Sequence, residues 1–121
     1  MTAGVTGDIG PPWRVPLLLL AFASLFLGID AGLARLGWSW PGAGLAAMHG
    51  PLMASGFFGT VISLERAVAL GRHWAYTAPL AAGLGALAAM LAAPPAVAPA
   101  LSAAGSAVML AASVAVYRRQ R

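Results

Sequence analysis

The sequence contains no cysteine and no lysine, and only three acidic residues, Asp8, Asp30 and Glu65, stand against seven arginines in 121 positions. Without cysteine there is no disulfide, no iron–sulfur ligation and no thiolate nucleophile. No H-E-x-x-H pair, no two carboxylates within one helical turn and no glycine loop followed by lysine occur, so conventional enzyme chemistry is not expected. Charged residues make up only 8% of the chain and hydrophobic ones 60%, with a mean hydropathy of +0.84. That is too little polarity to clothe a soluble domain. The partner implied is the lipid bilayer. The net charge of +4 does not indicate nucleic acid, because the arginines fall at the ends of apolar runs.

Each bilayer crossing needs about 20 apolar residues, and the apolar runs predict an all-α, four-helix transmembrane bundle with short connections. Residues 1–14, broken by Gly4, Gly7, Gly10, Pro11 and Pro12, read as a flexible lead-in. A first helix is expected over 15–36, with Pro16 in its first turn. No A-x-A site closes its apolar run and three more runs follow, so a retained anchor is preferred to a cleaved signal. Trp38 and Trp40 fit an interfacial turn. A second helix is expected over 41–70, with Gly71 placed for a C-terminal cap. At 1.5 Å per residue it would be about 45 Å long, and Pro51 predicts a kink within it. Third and fourth helices are expected over 77–93 and 96–117, ending in a basic tail over 118–121.

In that arrangement Arg14, Arg66, Arg72, Arg118, Arg119 and Arg121 share one side and Arg35 alone marks the other. The asymmetry predicts both termini in the cytoplasm, and a bacterial inner (cytoplasmic) membrane as the location. Spacings such as Ser55 with Gly59, and Ser102 with Ser106, would allow close helix approach. They also leave room for a homo-oligomer or a place in a larger membrane complex.

His49 is the one imidazole expected at membrane depth, and an ionisable group there is a functional-site hypothesis by default. It lies about 12 Å along the second helix from its outer end. Met53, Gly56, Thr60 and Ser63 follow at spacings of four, three, four and three, which would form one stripe on the same face. Three roles are open to His49: a hydrogen bond that fixes packing, ligation of a haem or metal ion, or proton and ion handling. Asp30, about 9 Å deep on the first helix, would stand at a similar level and could orient the ring by accepting from one nitrogen. His73 falls in the next loop and reads as an interfacial histidine.

The run His49-Gly-Pro-Leu-Met-Ala-Ser-Gly-Phe-Phe-Gly-Thr-Val-Ile-Ser-Leu-Glu-Arg-Ala-Val-Ala-Leu-Gly71 resembles a group of bacterial multi-pass membrane proteins with an HGxLMxxGFxGTxIxLERAVAL signature. These distantly resemble the NnrS proteins and, more remotely, the helix of haem–copper oxidase subunit I that carries a haem-ligating histidine. The resemblance implies haem at His49, with Met53, Gly56 and Gly59 lining the cofactor, and a link to respiratory or nitrogen-oxide metabolism. It covers only the second helix. A second axial ligand would have to come from Met90, Met109 or another copy of the chain. The contrasting readings are a structural or assembly subunit without a ligand, and a small dimeric transporter. Four-helix exporters of that kind use a glutamate in the first helix, which this chain lacks.

Overall fold

The computed structural model describes residues 8–38 and 41–121, and among them 85% of the chain is helical with no strand. Ser39 and Trp40, where the interfacial turn was expected, and residues 1–7 of the lead-in lie outside the described residues. Four helices form an antiparallel bundle: α1 (Pro11–Arg35), the composite helix α2 (41–70), α3 (Thr77–Met90) and α4 (Val97–Arg119). Three of them are long and apolar enough to cross a membrane, the second over Gly44–Leu70. At 14 residues, α3 is about 21 Å long, and a 3-10 turn over His73–Tyr76 precedes it.

Helix α1 begins at Pro11, four residues before the expected start at 15. Pro11 and Pro12 have their φ preset for a first turn and lack N–H groups that would be unpaired there. Side-chain contacts hold this start in place. Asp8 accepts from the Tyr76 hydroxyl and pairs with Arg14 at 2.9 Å, while Ile9 packs on a core of Leu17, Leu64, Leu70 and Ala112. The final residues of the expected lead-in are therefore docked structure.

Helix α2 changes winding along its length. A 3-10 stretch over Pro41–Met48 gives way to one α turn at His49–Pro51, a π stretch over Leu52–Phe58, and regular α-helix over Gly59–Leu70. Pro51 has no N–H to donate, so the hydrogen-bonding pattern must be interrupted here. The irregularity expected as a kink is a change from tight to wide winding. Gly71 ends the helix in the left-handed region at φ 64°, its N–H bonding to Ala67 O at 2.9 Å. Arg119 adds a second cap by donating to Leu70 O at 2.8 Å, tying the end of α4 to the end of α2.

Helix α3 stops at Met90, earlier than the expected 93. Its end is a reversal in which Ala93 N–H bonds to Ala88 O and Ala92 N–H to Ala89 O. Ala92 takes the left-handed position at φ 54°, normally glycine's place. Helix α1 ends in the same way with Gly37 at φ 91° and Trp38 N–H on Leu33 O.

Candidate functional site: His49 and the helix α1 groove

The chain brings α1 and α2 together through small residues four apart on α1. A side-chain carbon added at Gly32 would meet the His49 ring at 2.9 Å, one at Gly28 would meet Met53 Sδ at 2.7 Å, and one at Gly56 would meet Ser24 Oγ at 2.8 Å. The His49, Met53 and Gly56 part of the expected stripe thus faces positions 32, 28 and 24 of α1. Those positions are glycine, glycine and serine, so the helices approach closely. Thr60 and Ser63 continue the stripe into the buried core. The Ser63 hydroxyl bonds to Gly59 O, whereas Thr60 Oγ1 is buried with no hydrogen-bond partner among the described residues.

The His49 Nδ1 lies 2.7 Å from the Gly28 carbonyl oxygen. A carbonyl only accepts, so Nδ1 carries the proton. In the tautomer this selects, Nε2 is the nitrogen that keeps the lone pair. Among the described residues no hydrogen bond reaches Nε2, and His49 lines a surface groove of about 420 Å³ with Ile29, Gly32, Leu33, Arg35 and Leu36. An imidazole whose other nitrogen donates to a backbone carbonyl is the usual arrangement of a metal-ligating histidine. The groove adds apolar walls and one guanidinium.

Asp30 does not take the orienting role expected from its depth. The carbonyl of Gly28 holds that position, and Asp30 Oδ1 is buried with no hydrogen-bond partner among the described residues. The reason is angular. At 100° per residue, Asp30 projects about 200° around the helix from Gly28, so equal depth does not put it on the face that meets His49.

The three other residues expected to line a cofactor are placed elsewhere. Met53 packs on Gly28, Gly56 is buried between Ser24 and Ala86, and a side-chain carbon added at Gly59 would meet only ordinary contacts, 3.5 Å to Ala54 O and 3.8 Å to Ala82 Cβ. The space beside Gly56, where the cofactor was expected, is filled by α1 and α3. Of the expected site residues, only His49 faces the groove, joined there by Arg35, which sequence reasoning treated as a marker of the outer helix end. Its spacing of three from Gly32, the glycine beneath the ring, is a signal that identifies it once α1 and α2 are paired.

At the opposite, arginine-rich end, Asp8, Arg14 and Tyr76 form a second polar cluster. The Tyr76 hydroxyl holds the Asp8 carboxyl below its ordinary range, helped by Arg14, and burial followed by the bond to Asp8 pushes the Tyr76 phenol up. The lone acid beside apolar Ile9 was the available sequence signal for this docking. No group of three His, Cys, Asp or Glu side chains that could together hold a metal ion occurs among the described residues.

Residues 14–121 match the family model of a domain of unknown function, DUF8744. No curated protein and no solved structure matches the chain.

Proposed function

Taking as premise that the chain belongs to the DUF8744 family, we propose that it is a multi-pass inner-membrane protein that binds a metal-centred group, with haem as the candidate, through His49 Nε2. The observation that carries this reading is the Nδ1 bond to Gly28, which fixes the ring of a histidine that lines a groove. His49 would hold a haem, with Ile29, Leu33 and Leu36 supplying apolar walls and Arg35 available to an anionic substituent. When bound, it would supply one-electron or diatomic-ligand chemistry. The protein's part is to set the tautomer of His49, to orient its ring over Gly32 and to surround it with apolar side chains. A role in respiratory or nitrogen-oxide metabolism rests on the resemblance of the His49–Gly71 run alone.

The orientation proposed places both termini in the cytoplasm, as the six-to-one arginine asymmetry favours. The short α3, about 21 Å long, then crosses by local thinning of the ~30 Å hydrocarbon core, with the His73–Tyr76 turn at its cytoplasmic interface.

A second reading is that His49 is only a clamp between α1 and α2, which the same Gly28 bond and the filled gap at Gly56 favour. Absorption spectra of detergent-purified protein, oxidised and reduced, separate the two. The haem reading expects a Soret band that His49→Ala abolishes and Arg35→Gln weakens. A colourless protein after growth with haem precursor, or a spectrum that survives His49→Ala, leaves the clamp.

A further inference from the structure

On the side of α2 away from α1 lies a larger cavity, of about 780 Å³, bounded by α2, α3 and α4. Its inner end is closed where these helices converge. Gly56 meets Ala86 there, with a side-chain carbon at Gly56 reaching Ala86 Cβ at 3.1 Å, and Gly85 meets Ser102, at 3.1 Å to Oγ. Beyond these contacts the helices separate. Helix α2 changes winding through Pro51 and the π stretch, and α3 ends at Met90, so small residues of the 92–95 loop replace a further helical turn. Neither His49 nor any residue of α1 lines this space.

We propose that this cavity is a lipid site occupied by one acyl chain of a membrane phospholipid. Among the described residues that line it none is charged and none is aromatic, and the polar side chains among them are the hydroxyls of Ser55 and Ser102. Water needs two to four polar partners to be held in such a space, and an ionic or stacked aromatic ligand has no counterpart there. The lining runs from Gly44 to Gly56 along α2, about 20 Å with the mixed winding. One leaflet's hydrocarbon, half of the ~30 Å core, fits within that length. The volume falls within the ~300–1,000 Å³ of ordinary ligand sites. Exposed Ala54, Pro51, Pro95 and Pro99 form its rim, giving a chain lateral access from the bilayer. A helix from a second copy, about 10–12 Å across with its side chains, would need a groove open along its length. This space instead narrows to contact at Gly56 and Gly85.

Native mass spectrometry of protein washed extensively in detergent tests the proposal, with added dioleoylphosphatidylcholine as the probe. The expected result is one phospholipid retained per chain and a rise in melting temperature on adding the lipid. Both should be lost, with retention falling at least tenfold, in Ala89→Leu, which fills the cavity from α3. Leu110→Ala, on an exposed face of α4, should retain lipid as the native chain does. Helical circular dichroism reports whether Ala89→Leu folds. If it does not, Ala54→Leu at the rim makes the same test without entering a helix contact. Retention that persists in the folded filled variant overturns the proposal, as does a native chain with neither retained lipid nor a melting shift. Oxidative cross-linking of Ala89→Cys between two copies in bilayers would overturn it in favour of a second chain.

Discussion

His49 Nδ1 and the Gly28 carbonyl oxygen meet at 2.7 Å, and this bond joins α1 to α2 while fixing which ring nitrogen donates. The Gly28 carbonyl keeps a bond that its own helix need not supply, because a carbonyl oxygen has two lone pairs. Its neighbour in sequence, Ile29, is among the groove-lining residues, so the fixed ring and the groove wall are built from one turn of α1.

The glycines of α2 should differ sharply on substitution. At Gly56 an alanine would be hemmed by Ser24 Cβ at 2.9 Å and Ala86 Cβ at 3.1 Å, and overpacking of that kind costs about 1–3 kcal/mol. At Gly59 the nearest atom would be 3.5 Å away, so Gly59→Ala should be neutral or stabilise by up to about 1 kcal/mol through helix propensity. Melting in detergent of the two variants measures the contrast. Equal destabilisation would show that Gly56 is not the tight contact.

Much of α2 was legible from its sequence. Pro41, Pro51 and Gly71 act through local backbone chemistry, which does not depend on partners. What depended on rotation about a helix axis was not legible. Depth along α1 and α2 placed Asp30 level with His49 correctly in principle, but only the pairing of faces shows that Gly28 and Gly32 meet the ring. The π stretch over Leu52–Phe58 also shifts angular register between His49 and Gly59, a change that a constant 3.6-residue period cannot carry. The cavity was invisible for a related reason. It arises from the separation of three helices above Gly56 and Gly85, whereas the sequence there shows only alanine, glycine and proline.

The Asp8–Tyr76 bond gives a pH dependence of known sign. Asp8 has its carboxyl held below the ordinary 3.8 in the folded chain, so its contribution is fully present above that value and is lost as pH falls through the lowered one. Tyr76 is raised above 10.0, and its contribution is lost only as pH rises through the raised value. Carboxyl NMR titration should therefore show Asp8 of Tyr76→Phe moving back up towards 3.8, with acid unfolding beginning at higher pH. An unchanged Asp8 titration would mean that the hydroxyl does not hold it.

Ala92 offers a stabilising substitution. It occupies the left-handed position of the helix reversal after α3 at φ 54°, where a side-chain carbon costs about 1–2 kcal/mol. Part of that gain is offset by the greater freedom of glycine in the unfolded chain, about 0.4–1 kcal/mol. Ala92→Gly should thus stabilise by roughly 0.5–1 kcal/mol, read as a raised melting temperature with unchanged helical content. Gly37→Ala, which places alanine in the equivalent position of α1 at φ 91°, should do the reverse.

Topology can be read from opposite ends of the same helices. Arg119 donates to Leu70 O and Asp8 accepts from Tyr76, so the start of α1, the end of α2, the start of α3 and the end of α4 gather at one end of the bundle. That end carries Arg14, Arg66, Arg72, Arg118, Arg119 and Arg121, and cytoplasmic retention of arginine near short loops should orient it inward. Reporter fusions at Gln120 and beside Arg72 should give cytoplasmic signals, while one at Pro95, in the loop between α3 and α4, should give an external signal. A cytoplasmic signal at Pro95 together with one at Gln120 would mean that α4 does not cross, and that the short α3 lies within the bundle without spanning it.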